Sequence, residues 1–262
     1  MTHLPKLFAL IRENQYRFSR QDLFADFCEL AAIAISNAVD VHYRDKRESR
    51  YLQIIRRYPP EVVEAFPRIL AELIIALEDT PRDVLGETFH ELELHKSIIG
   101  QFFTPYHVCR AAAQFCIEGK DLRSHIDEHG LFTAQEPACG SGAMIIALAD
   151  AIKSAGVNYQ QHFYVEAWDI DRLAAHMAYV QLSLLHIPAS VVIGNSLSQE
   201  VYERWYTPAY ITGLFRQRLR RRQQTQETTT PCDVVAKIRK PDNDAPQVTA
   251  GHHTMQMQMP LF

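Results

Sequence analysis

A turn with two glycines is the part of the sequence with the clearest chemical use. It follows a short apolar run that ends at Glu136, and it precedes a helical pattern that starts at Ala143. Glycines at a helix N-terminus let the backbone approach a ligand closely, so this turn is a predicted binding loop. Its six residues are Pro137, Ala138, Cys139, Gly140, Ser141 and Gly142.

A dinucleotide fingerprint is one interpretation of such a turn, but the spacing disfavours it. A nicotinamide-binding loop has a third glycine where Ile145 stands, and its acid follows about 20 residues on. Here the next acid at a predicted strand end is Asp169, which is further away. Another ligand therefore fits the turn better.

Three predicted strands and two predicted helices position this loop. From about residue 100 to 198, the apolar runs LFTAQ, HFYVEAWD and ASVVIG alternate with the helical patterns AMIIALADAIKSAG and RLAAHMAYVQLSLLHI. This βαβαβ order predicts an α/β fold with a parallel sheet and right-handed crossovers. The α/β domain is expected to span residues 96–215.

Residues 1–95 are predicted to form an all-helical module. Ser19, with Asp22 three residues later, is a helix start before an apolar pattern of helical spacing. A further helix is expected from the segment PEVVEAFPRILAELIIALED, with a restart at Phe66-Pro67 because proline suits a first turn. Residues 216–262 are rich in polar side chains and are expected to be a mostly disordered tail.

Composition excludes several classes of protein. The chain has 262 residues with 47% hydrophobic side chains, which excludes a fully disordered or collagen-like protein. Its five cysteines are scattered and its histidines dispersed, so the spacing indicates no disulfide framework and no metal site. Because no signal peptide or membrane span is recognisable, a cytoplasmic location is expected. The net charge of -4 leaves a local DNA-binding patch open.

The PACGSG turn resembles the S-adenosylmethionine loop of adenine-N6 DNA methyltransferases, in particular the methylase subunits of type I restriction-modification systems. Neighbouring segments resemble the same family in the same order: DVLGETFHELELHKSIIGQFFTP upstream, then AWDIDRLAAHMAYVQLSLLHI and GNSL downstream. The resemblance covers roughly residues 82–198. It implies a Rossmann-like methyltransferase domain that binds S-adenosylmethionine, methylates DNA and works with a second methylase or specificity subunit.

The resemblance also implies roles for single residues. The region of Phe102 and Phe103 would close over the methionine end of the cofactor, although both rings could equally be plain core aromatics. Thr104 would cap the following helix with Pro105 in its first turn. Glu136 and the glycine loop would face the amino acid part, and Asp169 would accept hydrogen bonds from the ribose hydroxyls.

Three further residues have a structural or ligand-binding interpretation. Asn195 stands where relatives often carry an aspartate. Its amide oxygen could accept a hydrogen bond from the amine of the cofactor's adenine. Cys139 is interpreted as a small buried spacer rather than a nucleophile. Asp171 is interpreted as a helix-start residue rather than a second ribose contact.

The catalytic Asn-Pro-Pro-Tyr or Asn-Pro-Pro-Phe of that family is missing from this sequence. The segment Tyr206-Thr207-Pro208 has a proline and an aromatic at a plausible distance after GNSL but no Asn, and the run 232–236 is interpreted as a coincidence in the tail. Two hypotheses remain: a methyltransferase that acts with a partner or through another amine acceptor, and a catalytically silent relative that retains the cofactor pocket. Three strands also leave an exposed sheet edge unless the N-terminal helices, residues 200–215 or another chain cover it.

Two segments near the C-terminus suggest macromolecular partners. Phosphate contacts with DNA are a hypothesis for five arginines, with a solvated charge run as the alternative: Arg216, Arg218, Arg220, Arg221 and Arg222. The terminal peptide resembles the Gln-x-x-Leu-Phe peptide that docks on bacterial sliding clamps, with Gln258 as polar anchor and Leu261 and Phe262 as apolar contacts.

Overall fold

Helices fill the first part of the chain, as the periodicity predicts. The computed structural model describes residue 9 and residues 18–79, 81–92, 94, 103–228 and 257–258. None of the helices within these ranges is both long enough and apolar enough to cross a membrane. The N-terminal helices are α1 (Arg20–Asn37), α2 (Arg44–Ile55), α3 (Pro60–Val63), α4 (Ala65–Asp79) and α5 (Val84–Glu91).

The start of α1 is the predicted one. The Ser19 hydroxyl accepts a hydrogen bond from the backbone N–H of Asp22 at 3.5 Å, so the serine caps the helix. The helical restart near the second proline lies slightly earlier than predicted, since α3 ends at Val63 and α4 already begins at Ala65. Pro67 then lies in the first turn of α4, where its missing N–H has no helical partner to lose.

A sheet with helices follows. Its helices and strands are α6 (Tyr106–Ile117), α7 (Leu122–His129), β1 (Phe132–Glu136), α8 (Ala143–Ser154), α9 (Tyr159–His162), β2 (Phe163–Asp169), α10 (Arg172–Leu184), β3 (Ala189–Asn195), β4 (Glu200–Tyr206), α11 (Pro208–Thr212), α12 (Phe215–Thr228) and β5 (Met257–Gln258). The strand order is β4-β3-β2-β1-β5. Strands β1, β2, β3 and β5 are parallel, and β4 is antiparallel to β3.

This topology confirms the predicted Rossmann-like α/β fold. The order 3-2-1 across β3, β2 and β1 is one half of a doubly wound sheet, and β5 lies on the other side of β1. The strand order therefore reverses beside β1, and ligands of such sheets bind outside the carboxyl ends of the strands at that reversal. The glycine turn follows β1 and lies at this place.

The prediction of only three strands is wrong, because residues 200–206 form a further strand. Strand β4 covers the edge of β3, and its Trp205 is buried with its ring centroid 5.4 Å from that of Tyr179 on α10. The prediction of a disordered tail from residue 216 is also wrong as far as residue 228, because these residues form α12. Arginine and glutamine are good helix formers, and one buried ring, Phe215, joins α12 to a small apolar cluster with Leu131 and Tyr210.

The helical part and the sheet share one hydrophobic core. Helix α1 packs against α10, and α6 packs against α8. The buried guanidinium of Arg47 on α2 pairs with Asp40 at 2.9 Å and also donates to the carbonyl of Arg204 on β4, at 3.2 Å. A domain boundary at residue 95 stays a prediction, since the core is continuous across it.

Candidate functional site

The glycine turn has a backbone conformation that depends on glycine. Gly140 has φ = 53° and Gly142 has φ = 93°, both in the left-handed region that other residues rarely adopt. A Cβ on Gly140 would lie 2.9 Å from the Phe103 ring, so this position also lacks room for a side chain. Gly142 caps α8 without a side-chain hydrogen bond, which leaves the amide end of the helix facing the loop.

Hydrogen bonds attach the loop to the end of β2. The N–H of Cys139 donates to the carbonyl of Trp168 at 2.7 Å, and the N–H of Gly140 donates to Oδ2 of Asp169 at 2.8 Å. The N–H of Ala138 donates to Oε1 of Glu136 at 3.1 Å. The loop therefore lies directly over the carboxyl ends of β1 and β2.

Two acidic side chains, Glu136 and Asp169, lie at this edge of the sheet, and both have raised pKa values. Burial is the main reason that the pKa of Glu136 rises to about 7; the N–H of Ala138 opposes this shift, and the nearby Asp169 adds to it. Burial also raises the pKa of Asp169, although the N–H groups of Asp171 and Gly140 oppose that shift. Within the described residues, no lysine, arginine or histidine is among the main causes of either shift. The site therefore favours a ligand that brings positive charge.

Two apolar side chains border the same edge. Ile170 directly follows β2 and is 64% exposed, and Leu197 follows β3 and is 89% exposed. Neither is part of the hydrophobic core, so both can contact a flat apolar group placed between the two strand ends. Neither residue was predicted from the sequence, although an apolar residue immediately after a strand-end acid was a usable signal for Ile170.

Asn195 does not have its predicted geometry. Its Oδ1 accepts hydrogen bonds from the N–H groups of Leu197 and Ser198, at 3.0 and 3.2 Å. Both lone pairs of this oxygen are occupied, so it cannot also accept from an adenine amine in this conformation. The reason is local: an asparagine after a strand readily forms such a turn with the following backbone.

The segment before α6 differs from its prediction by one residue. The helix begins at Tyr106 with Pro105 at the cap position, and Thr104 does not cap it. Phe103 is buried and packs against Phe89, with ring centroids 4.9 Å apart, and also against Gly140. Phe103 is thus a core aromatic that forms one wall of the glycine loop, and Phe102 lies outside the described residues.

The structural interpretations of Cys139 and Asp171 agree with the geometry. Cys139 is buried, and this burial raises the pKa of its thiol far above the ordinary value, which disfavours a thiolate nucleophile. Asp171 is the N-cap of α10 and accepts a hydrogen bond from the N–H of Leu173 at 2.8 Å.

Behind the loop lies a buried polar cluster that the sequence analysis missed. Ser141 donates from its hydroxyl to Oδ2 of Asp83 at 2.5 Å, and Gln181 donates to Oδ1 of Asp83 at 2.8 Å. All three side chains are buried. They come from the loop, α5 and α10, which are far apart in sequence, so no local spacing could have indicated the cluster.

The arginines of α12 lie at the opposite, amino end of the sheet. Arg222 donates to the carbonyl of Leu131, just before β1, at 3.1 Å. Arg216 lies 5.4 Å from the ring centroid of Tyr206, which is next to Ser190 at the start of β3. Tyr206 therefore does not reach the cofactor edge and is no substitute for the missing catalytic aromatic.

These five arginines differ in exposure. Arg216, Arg220 and Arg221 are exposed, whereas Arg218 and Arg222 are half-buried. Burial lowers the pKa of Arg218 and of Arg222, because each guanidinium is partly removed from water. Contact with DNA stays a prediction, and the exposed three are the better placed for it.

The terminal peptide is only partly described. The main chain of Gln258 pairs with that of Gln135 in β1, as the second residue of β5. Leu261 and Phe262 lie outside the described residues. Clamp binding stays a prediction, and it would compete with β5 for the backbone of Gln258.

A family model matches the central part of the chain. The model of the family described as N-6 DNA Methylase matches residues 82–228, which include α5, the glycine loop, all four strands from β1 to β4 and α12. No curated protein matches the chain.

Two methyltransferases are among the solved structures to which this chain is similar. One is a putative class I S-adenosylmethionine-dependent methyltransferase from Listeria monocytogenes, with 13% identity over 74% of this chain and 54% of that one, and a TM-score of 0.42. The other is the methyltransferase subunit of a type I restriction-modification system from Streptococcus thermophilus, with 17% identity over 71% of this chain and 36% of that one, and a TM-score of 0.36. The chain thus spans about half of the first protein and about a third of the second.

Proposed function

The chain belongs to the N-6 DNA methylase family, and from this premise we propose that it binds S-adenosylmethionine at the glycine loop and serves adenine-N6 methylation of DNA. The cofactor of the family is S-adenosylmethionine, which carries a sulfonium and an ammonium group. Bound here, it would supply an electrophilic methyl group. The activity on DNA is a proposal, because the chain spans only part of the length of the methyltransferases it is similar to.

One observation carries the proposal: two partly desolvated carboxyl groups lie at a glycine-rich strand-end loop without a basic partner among the described residues. The positive charge of S-adenosylmethionine complements Glu136 and Asp169, whose pKa values are both raised. Ligand binding would offset the cost of keeping these carboxylates ionised near each other.

The shape of the edge also suits the cofactor. Asp169 uses one lone pair of each oxygen for the N–H groups of Gly140 and Asp171, so each oxygen retains one for a ribose hydroxyl. Glu136 would hold the ammonium of the amino acid part beside the loop. Ile170 and Leu197 would border the adenine ring. No Cβ blocks the approach of the ligand at Gly140 or Gly142.

Calorimetric titration of the full chain with S-adenosylmethionine tests the site independently of catalysis. Binding is expected, and S-adenosylhomocysteine, which lacks the sulfonium charge, is expected to bind more weakly at low salt. Arg222→Ala is the matched control, because it changes the other end of the sheet. Failure of the unaltered chain to bind the cofactor would end the proposal.

A catalytically silent relative is the second candidate. The observation that favours it is the missing Asn-Pro-Pro-Tyr/Phe tetrapeptide. Transfer of label from S-adenosylmethionine to adenine-containing DNA separates the two. Label in DNA that disappears with Asp169→Ala supports the enzyme, whereas cofactor binding without label supports the silent relative.

Partner proteins belong to the same proposal. The family resemblance suggests a second methylase or specificity subunit, and the terminal Gln258, Leu261 and Phe262 suggest a bacterial sliding clamp. Deleting Leu261 and Phe262 is expected to abolish capture of the chain by an immobilised clamp. Unchanged capture would end the clamp hypothesis without touching the cofactor site.

A further inference from the structure

The conformation of the glycine loop depends on what holds Ser141. Its neighbours Gly140 and Gly142 both have positive φ, and glycine adopts many conformations at similar free energy. The loop sequence by itself therefore selects no single arrangement. Some tertiary contact must hold the residue between the two glycines.

Ser141 is held at two points by side chains from outside the loop. Its hydroxyl donates to Oδ2 of Asp83 at 2.5 Å, and its carbonyl accepts from Nε2 of Gln181 at 2.9 Å. The same Nε2 donates to Oδ1 of Asp83 at 2.8 Å, and Oε1 of Gln181 accepts from the N–H of Leu85 at 3.0 Å. Every polar group of the Gln181 side chain is thus engaged.

Asp83 is the centre of this cluster. It is 3% exposed and accepts hydrogen bonds from Ser141, Gln181 and the N–H of Gly86. A Cβ on Gly86 would lie 1.9 Å from Oδ2 of Asp83, so the first turn of α5 has room for the carboxyl group only because that residue is glycine. A buried carboxyl group with three donors is costly to disrupt, since each lost partner leaves a desolvated polar atom.

We infer that Asp83 is a positioning residue for the cofactor loop: through Ser141 and Gln181 it fixes the arrangement in which the loop can accept S-adenosylmethionine. Asp83 itself lies behind the loop and accepts a hydrogen bond from the hydroxyl of Ser141. The inference rests on the proposed cofactor site, but the state of the loop can be measured without cofactor.

A second aspartate supplies a matched control. Asp121 caps α7 and accepts from the N–H and the hydroxyl of Ser124, at 3.0 and 2.7 Å. Both α5 and α7 have eight residues, and both capping aspartates accept from the N–H three residues on. Asp121 is exposed and its side chain accepts hydrogen bonds from Ser124, so Asp121→Asn is expected to alter a helix cap alone.

Hydrogen exchange read by mass spectrometry tests the loop directly. In the full chain without cofactor, Ser141→Ala and Asp83→Asn are expected to raise the exchange rate of amides in residues 137–148 by about tenfold, the effect of losing one buried hydrogen bond. Asp121→Asn is expected to leave that peptide unchanged. Ser141→Ala removes a single oxygen atom and is expected to fold, so it decides the matter even if Asp83→Asn fails to fold. Unchanged loop exchange in Ser141→Ala overturns the inference.

Cofactor affinity then separates positioning from simple stability. Calorimetry is expected to give about tenfold weaker binding of S-adenosylmethionine for Ser141→Ala and Asp83→Asn, and the double variant should be no weaker than the weaker single variant. Affinity that is unchanged in both single variants while the melting temperature falls would assign Asp83 a structural role and overturn the inference. If the unaltered chain binds no cofactor, the proposed function fails, and the exchange experiment still decides whether Asp83 holds the loop.

Discussion

The two ends of the same parallel sheet use their polar side chains in opposite ways. At the carboxyl end, Glu136 and Asp169 are desolvated beside each other, and their pKa values rise. At the amino end and across the neighbouring face, charged groups have protein partners: Arg204 pairs with Glu166 at 2.7 Å, and Arg222 donates to the carbonyl of Leu131.

The difference indicates which end binds and which end stabilises. A charged group that is paired within the chain contributes to folding and has less to offer a ligand. A desolvated acid with an unused lone pair favours folding less, but it gains when a cation or hydroxyl arrives. The desolvated acids at the carboxyl end lower the folding stability, and a ligand that binds to them should raise it.

Asp169→Ala is the strongest way to break this comparison. Removing an acceptor with two expected ribose hydrogen bonds should weaken binding of S-adenosylmethionine by about a hundredfold, since bonds to charged groups contribute roughly 1.5–3 kcal/mol each. Arg222→Ala, at the other end, should leave the affinity unchanged. Calorimetry measures both, and equal effects of the two variants would contradict the contrast between the ends.

The pH dependence of Glu136 should have opposite signs for affinity and for stability. Because its pKa is raised from 4.5 to about 7 in the folded chain, folding stability should fall as pH rises from 5 to 8, by up to about 3 kcal/mol. Affinity for the cationic cofactor should rise by about tenfold over the same range as the carboxylate ionises. Denaturant unfolding and calorimetry at several pH values measure the two slopes, and Glu136→Gln should flatten both. Parallel slopes would contradict the assignment.

Gly142→Ala should separate backbone strain from ligand contact. An alanine at φ = 93° costs about 1–2 kcal/mol of folding free energy, so stability should fall. Because this strain lies in the binding loop, cofactor affinity should fall about fivefold. Gly119→Ala is the matched control, since it has φ = 70° and nothing within 4 Å. The melting temperature should fall in both variants, whereas the cofactor affinity measured by calorimetry should fall only in Gly142→Ala. An affinity loss in Gly119→Ala would remove the distinction.

The smallest expected effects concern the arginine helix α12. Arg220→Ala should leave the free energy of unfolding unchanged. The slope of log K for DNA binding against log salt concentration should become shallower by about 1. Arg222→Ala should lower the free energy of unfolding by about 1 kcal/mol and affect DNA binding less, because its guanidinium bonds to the chain. Fluorescence anisotropy at several salt concentrations and denaturant unfolding measure these changes. DNA binding that ignores added salt would contradict phosphate contact.

Part of the site was predictable from the chain alone. The glycine turn after β1, Asp169 at the end of β2 and Asp171 as a helix cap all depend on local spacing, and the structure has them where the spacing predicts. Asn195 was harder, because the same residue can face a ligand or fold back on its own turn. Sequence does not distinguish these two uses.

Strand β4 marks a second limit of what could be predicted from the sequence. Residues 200–206 carry Glu, Tyr and Arg and show no continuous apolar run, so no strand was expected there. Strand β4 forms because β3 offers an unpaired edge and α10 offers a surface for Trp205. Such a strand is determined by its partners.

By itself, the sequence determined the βαβαβ order, the glycine turn and the acid that faces it, because each follows from periodicity or from a residue type required at one backbone position. Only the tertiary structure decided which polar groups are satisfied. Asp83, Ser141 and Gln181 meet from positions up to 98 residues apart. Arg222 is bonded to the sheet, and Glu136 is left desolvated. Satisfaction of a buried polar group depends on distant partners and on exclusion of water, and neither is encoded in local spacing.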